Sequence, residues 1–369
     1  MDIKIVQREE NFGMTIAKLA VLDIVYKLDS LAKNMMNTWP LFDYVFIDEA
    51  SMVPMGIALI PIYYGRKRII LGDTRQLPPI TRTTQGAPAY ESVLQLIVNT
   101  HLNKVRYLTI QRRGREEIFN YISRTFYQNR LFSDKSVHEM ASKWKLMLKF
   151  NDMVDNIINM SQAITWIDVL DGFSDWIEVK KGRLSAWSAY NIEEAALALA
   201  IYERLLRYGI NPNDIAIITT YRAQALLISR SIEKLGLAKP PIAHLGASKE
   251  EDEMKFDIED YEIENLLDLR VSETVDSFQG REKPIILYSI VKHNYHKALA
   301  NYTRFNVAIS RAKLKLIILS SFSEGELIKI PWIFLLRKNA GCRLQINVRK
   351  EAYMKKIVNT VENALKELK

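Results

Sequence analysis

Phe42-Asp43-Tyr44-Val45-Phe46-Ile47-Asp48-Glu49-Ala50-Ser51 is an apolar run that stops abruptly on two adjacent carboxylates. A run this short, bounded by polar residues, reads as a buried strand. Ligands of open α/β sheets gather beyond the carboxyl ends of such strands. One carboxylate there can hold Mg2+ through its water shell, and the next can orient or deprotonate an attacking water. An acidic pair after a strand is also an ordinary solvated turn, so its neighbours matter. The next apolar run closes on Gly72-Asp73-Thr74-Arg75-Gln76-Leu77-Pro78-Pro79. Gly72 is expected to permit a tight turn, Pro78-Pro79 to stiffen the loop, and Gln76 to sit as a neutral donor and acceptor near the acidic pair.

The same alternation continues along the chain. Residues 44–47, 68–71, 107–110, 164–169, 215–219, 285–291 and 315–319 read as buried strands, most of them continuous rather than alternating, as in a parallel sheet covered on both faces. Residues 116–129, 192–208 and 223–235 carry apolar side chains at three- and four-residue spacing and read as helices. In the tail, Met354, Ile357, Val358, Val361, Leu365 and Leu368 form one helical stripe, expected to pack on the core. The fold class is α/β, with parallel sheets covered by helices. A boundary is expected near residues 101–106. Residues 133–162 read as helical without a clear strand and 246–268 as strongly acidic, and both are expected to be insertions.

With 369 residues the chain has room for two domains. No apolar run approaches the roughly 18 residues of a membrane span, and residues 1–10 have no apolar signal core. One cysteine, Cys342, excludes an internal disulfide framework. His293 and His296 lack the acidic or cysteine partners of a metal site. An intracellular, cytoplasmic or similar, location without a membrane partner is expected. Lys plus Arg number 51 against 43 Asp plus Glu, a formal +8. Outside the acidic window Lys249 to Asp268, 49 bases face 33 acids, which suggests a polyanion partner.

The motifs, taken in order, resemble those of superfamily 1 helicases of the Upf-like branch. Asp48-Glu49-Ala50-Ser51 resembles motif II and Gly72 through Pro79 motif III. Leu108-Thr109-Ile110-Gln111-Arg112-Arg113, followed by Ile118 and Phe126-Tyr127, resembles motif IV. Asn191, Glu194-Ala195 and Ile217 through Gln224 resemble the segment ending in Tyr-Arg-Ala-Gln. Glu273 through Lys283 is similar to motif V and Arg304 through Ala312 to motif VI.

The resemblance implies two RecA-like domains around ATP: a partial first one over 1–105 and a complete second one over 106–369. Asp48 would bind Mg2+, Glu49 would activate water and Gln76 would sense the γ-phosphate. Arg113 and Arg311 would neutralise charge on the transferred phosphoryl group. Gly280 would allow close backbone approach, Glu282 would help bind nucleotide, and Thr274 would contact nucleic acid. The partner implied is single-stranded DNA or RNA. Arg112 stands where the family usually has tyrosine; a guanidinium can also stack on a flat ring.

One element is missing. The family's phosphate cradle is G-x-x-x-x-G-K-[ST], yet none of the fourteen glycines is followed by lysine. The sequence therefore reads as a helicase truncated at its N-terminus, weakly active or inactive alone, whose P-loop half-domain comes from a longer protein or a separate chain. The alternative is a nucleic-acid-binding or regulatory subunit that derives from a helicase and hydrolyses nothing.

Overall fold

The computed structural model describes residues 2–6, 11–15, 42–79, 91–137, 153–181, 184–240, 242–244, 273–274 and 282–368. The chain divides into two compact units, Met1–Tyr107 and Leu108–Lys369.

The first unit holds a four-stranded sheet. Strands β1 (Asp2–Val6) and β2 (Asn11–Thr15) form an antiparallel pair, and β1 runs antiparallel to β3 (Phe42–Ile47). Strand β4 (Gly65–Ile70) lies parallel to β3 in the register Phe42↔Gly65 to Ile47↔Ile70. This sheet is therefore mixed rather than wholly parallel. Phe42, Val45 and Ile47 face inward against Ala58 of the helix Met55–Tyr64 and Val93 and Leu94 of the helix Val93–Thr100. The Ser92 hydroxyl accepts from the Gln95 N–H at 3.2 Å and caps that second helix.

The second unit opens with the two-residue strands β5 (Ile110–Gln111) and β6 (Phe132–Ser133), paired in parallel. Residues 107–110 are not the buried strand expected: Leu108 is 87% exposed, and Tyr107 and Ile110 also face solvent. Next come β7 (Ile164–Val169), β8 (Ser174–Lys181) and β9 (Leu184–Asn191), the last two an antiparallel hairpin. The remaining strands are β10 (Ile215–Thr219), β11 (Ile242–His244), β12 (Glu273–Thr274), β13 (Lys283–Ser289), β14 (Ala312–Ser320) and β15 (Cys342–Ile346).

Seven of these form one sheet in the order β12-β11-β10-β13-β14-β7-β15, every neighbouring pair parallel. The helices Ile192–Arg207, Arg222–Lys234 and Lys355–Leu368 bury Leu197, Ile201, Ile228, Ile232, Val361 and Leu365 against Ile167, Ile217, Leu287 and Ile317 of the sheet. Each such aliphatic side chain contributes about 1.5–3 kcal/mol by leaving water.

Part of the segment expected to be an insertion belongs to this core. Val154, Ile157 and Ile158 of the helix Met153–Ile158 are fully buried, and Phe132–Ser133 is strand. The fully buried Lys315 fastens the segment to β14: its ammonium donates to Asn159 O and Gln162 O at 2.8 Å and to Thr165 Oγ1 at 2.7 Å. Burial pulls its pKa down to about 7. Residues 138–152 and the acidic segment 246–268 lie outside the described residues.

Candidate functional site

In the first unit, the parallel pairing of β3 and β4 makes the residues that follow them emerge side by side. Two bonds lace the exits together: Leu71 N–H to Ile47 O and Ala50 N–H to Leu71 O, both 2.8 Å. Glu49 takes a left-handed backbone, φ 51° and ψ 37°, which few residues other than glycine adopt. Its N–H donates to Asp48 Oδ1 at 2.9 Å. Asp48 is exposed and Glu49 half-buried.

Gly72 does not serve the tight turn expected of it, for its φ lies outside the left-handed region. A Cβ there would stand 2.9 Å from Leu94 Cδ2 and 3.0 Å from the backbone nitrogens of Ala50 and Ser51. Glycine is needed so that the second exit can press against the first. Gln76 is held within its own loop, its Nε2 donating to Asp73 Oδ2 at 3.0 Å while Asp73 Oδ1 accepts from the Arg75 N–H at 2.8 Å.

The second unit gathers its charged residues at the amino ends of β13 and β14. Gln111, buried, organises the turn that carries Arg113. Its Oε1 accepts from the N–H groups of Arg113 (2.9 Å) and Gly114 (3.2 Å), and its Nε2 donates to Gly114 O (2.9 Å) and Ser133 Oγ (2.6 Å). Arg113 Nε meets Glu282 Oε2 at 2.9 Å, and its Nη1 donates to Ser310 O at 3.4 Å. Lys313 forms an ion pair with the other Glu282 oxygen. Arg311 is 2% exposed, and its carbonyl accepts from Lys283 N–H at 3.0 Å. Residues 113, 282, 310, 311 and 313, drawn from three separated motifs, thus converge at one edge.

Arg112 points elsewhere. It is exposed, and its Nε meets Asp134 Oδ2 at 3.1 Å. Bonds from the Ser136 N–H and hydroxyl, with Arg112, hold the Asp134 carboxyl down at about 2. Thr274 ends β12 on the opposite, carboxyl edge of the sheet, in register with His244 and through it with Thr219. Gly280 lies outside the described residues.

Sequence reasoning gave no role to Gln111, Gly114, Ser310 or Lys313. The clue was Gly114, directly after the two arginines. A Cβ on it would stand 2.6 Å from Ala312 O and 2.9 Å from Lys313 O, so only glycine lets this turn touch β14. Gly114→Ala is expected to cost about 1–3 kcal/mol in chemical denaturation and to loosen the Arg113–Glu282 pair. An unchanged denaturation midpoint would show that the turn has room to move.

At the carboxyl edge, a buried network surrounds Glu194. Its Oε2 accepts from Ser289 Oγ (2.6 Å) and Val291 N–H (2.8 Å), and its Oε1 from Ser321 N–H (2.9 Å) and Oγ (2.8 Å). Asn191 Nδ2 donates to Val291 O at 3.1 Å and Ser321 Oγ at 2.9 Å. Gln224 Oε1 accepts from Asn191 N–H at 2.8 Å, and Gln224 Nε2 donates to Ser289 Oγ at 3.2 Å. The residues noticed in sequence as Asn191, Glu194 and Gln224 therefore form one bonded unit joining the ends of β9, β13 and β14.

Among the described residues, no group of three or more His, Cys, Asp or Glu stands ready to hold a metal. The single hard carboxylate of Asp48 suits Mg2+, which is commonly held by one or two carboxylates together with water and substrate phosphates. No helix among the described residues is long and apolar enough to cross a membrane.

Two protein families, each described as an AAA domain, match residues 89–323 and 26–84, the first over more than half of the chain. The chain is 31% identical over 304 residues to the ATP-dependent helicase MJ0104 of Methanocaldococcus jannaschii, covering 82% of this chain and 39% of that protein. It is 28% identical over 327 residues to the DNA replication ATP-dependent helicase/nuclease dna2 of Schizosaccharomyces pombe, covering 81% and 20%. It is 28% identical over 304 residues to the helicase sen1 of the same yeast, covering 79% and 15%. The chain thus spans about two fifths of the archaeal relative and a fifth or less of the yeast ones. On the span of the AAA-domain match and the company of these relatives, the chain belongs to the AAA-domain family of superfamily 1 helicases.

Proposed function

We propose that this chain carries the motif II-to-VI part of an ATP-driven helicase or translocase of the Upf-like branch, acting on single-stranded DNA or RNA. The observation that carries the reading is the convergence of Arg113, Glu282 and Arg311 at the amino edge of the second sheet. Arg113 and Lys313 pair with the Glu282 carboxylate, and the buried Arg311 is tied through its carbonyl to the neighbouring Lys283 N–H. In this reading Asp48 holds Mg2+, which offsets charge on the nucleotide phosphates. Glu49 orients and deprotonates the attacking water, and Gln76, steadied by Asp73, reads the γ-phosphate. Arg113 and Arg311 stabilise the charge that develops on the transferred group, acting as planar donors fixed in direction. Glu282 supports nucleotide binding beside Arg113. Arg112 is the candidate for stacking on the base, released from Asp134.

The backbone cradle for the phosphates is not encoded in these 369 residues, so this reading assigns it to a P-loop half-domain supplied from outside them, in a longer polypeptide or a separate chain. The test is phosphate release by the chain with and without such a half-domain. The chain alone should turn over ATP barely or not at all. Supplying the half-domain should restore turnover, and Glu49→Gln should then reduce it by roughly 10² to 10⁴. Robust turnover by the chain alone would overturn the division of labour. Strand binding without restored turnover would instead favour a non-hydrolysing nucleic-acid-binding subunit, a reading the +8 net charge also supports.

A further inference from the structure

The carboxyl edge of the seven-stranded sheet carries a group of rings that phosphoryl transfer does not use. Phe173 follows β7 and His293 follows β13, and their rings stack at 4.2 Å with 27° between planes. Phe173 remains 65% exposed, although a side chain of its size ordinarily leaves water. Behind the pair, Trp176 packs edge-on to Tyr221 at 5.8 Å and against His296 at 5.5 Å, while Tyr221 OH bonds His296 Nδ1 at 2.7 Å. The Lys292 ammonium lies 4.8 Å over the Trp176 ring.

The pair is held rigidly. His293 Nδ1 accepts from the Ser174 N–H at 3.1 Å and meets Ser174 Oγ at 2.7 Å. The ring is thereby fixed, with Nε2 as its proton-bearing nitrogen. Burial, then the neighbouring Lys292, hold its pKa below the ordinary histidine value, which keeps the ring neutral. Gly172 allows the Phe173 loop to close on Ser321, since a Cβ there would fall 2.0 Å from Ser321 Oγ. Val291, two residues before His293, has φ 76°, a genuine outlier for a β-branched residue. It is kept there by Glu194, which accepts from its N–H, and Asn191, which donates to its carbonyl. Strain of about 1–3 kcal/mol is thus retained at a fully buried position.

We propose that Phe173, stacked on His293, is a platform on which a base of single-stranded nucleic acid lies at the carboxyl edge of this sheet. The inference rests on the helicase reading for its partner and adds a site to it. A rigid, solvent-facing ring offers every base a π-face, and neutral histidine stacks in the same way. Carboxyl ends of parallel strands are where open α/β sheets take their ligands. Thr274, the sequence-derived nucleic-acid contact, ends its strand on this same edge.

The test uses the full chain and three labelled strands of one length: oligo(dT), oligo(rU) and an abasic DNA strand. Phe173→Ala should weaken the two base-bearing strands roughly 5- to 150-fold and leave the abasic strand unaffected. Phe173→Trp should restore binding, and the salt dependence should keep its slope because no ionic contact is lost. A larger loss on oligo(rU) than on oligo(dT), or the reverse, assigns the platform to that polymer. Equal loss on the abasic strand, or none on the base-bearing strands, would overturn the platform while the helicase reading stands. Failure of the unaltered chain to bind any strand would overturn the nucleic-acid reading itself.

Discussion

In the chain supplied with a P-loop half-domain, Arg311→Ala should lower ATP turnover by about 10³ to 10⁵. The size follows from placement. Arg311 is 2% exposed and stands one residue past Ser310, the C-cap of the helix Tyr302–Ile309, with its carbonyl bound to Lys283 N–H at 3.0 Å. A guanidinium on so fixed a backbone costs little reorganisation when phosphate charge develops, and removed from bulk water its field is strong. Arg311→Lys should recover only a small part of the loss, because an ammonium is a point charge without the planar fork. Arg113→Ala should fall in the same range yet leave the thermal midpoint nearly unchanged, since Lys313 still neutralises Glu282. Phosphate release and thermal denaturation on each variant separate chemistry from folding. Normal turnover in both arginine variants would reduce them to ties between motifs.

The second large effect concerns Glu194. Burial pushes its carboxyl up to about 7, against the opposing pull of the bonds from Ser289, Val291 and Ser321. An unfolded glutamate titrates near about 4.3. The folded protein therefore holds this proton where the unfolded chain has lost it. Below the unfolded value the group costs nothing; as pH rises from there to about 7, the stability it permits falls, and above that the penalty is constant. Glu194→Gln cannot ionise, so the stability gap between it and the natural chain should change by pH within that window and be flat outside it. Glu194→Ala should be worse at every pH, by at least about 3 kcal/mol, because it strands the Val291 and Ser321 N–H groups and two hydroxyls. Urea denaturation between pH 4 and pH 8 (a range of about those values) measures both. A gap that does not move with pH would place the titration elsewhere.

Legibility in the sequence followed burial. Residues 164–169 and 215–219 coincide with β7 and β10 because every side chain in them is buried, so apolar residues dominate both runs. The helix stripe of the tail proved to be core for the same reason: Val361 and Leu365 pack inward. Residues 107–110 misled because their apolar side chains face outward. The β8–β9 hairpin escaped notice because Ser174-Asp175-Trp176-Ile177-Glu178-Val179 mixes polar and apolar residues, unlike the continuous apolar runs sought. The antiparallel entry of β1 and the half-exposed edge strand β15 left no signal of the searched kind either.

Within the candidate site, motif order foretold which residues matter more than how they bond. Asp48, Glu49 and Gly72 leave the sheet side by side because β3 and β4 pair in parallel, although β4 is largely exposed rather than the buried strand expected over 68–71. The Arg113–Glu282 bond joins motifs distant in sequence, and no local pattern encodes it. Gly72 was noticed for conformational freedom but serves close packing. The left-handed Val291 was illegible in principle, since local preference argues against it and only Glu194 and Asn191 hold it in place.

Strand β13 has a different kind of residue at each end. Before its first residue stands Glu282 on Arg113; just past its last stand Val291, Lys292 and His293. Seven residues of strand span about 23 Å. Hydrogen-bonded to β10 on one side and β14 on the other, the strand acts as a ruler, setting how far the Arg113–Glu282 ion pair stands from the loop bent at Val291.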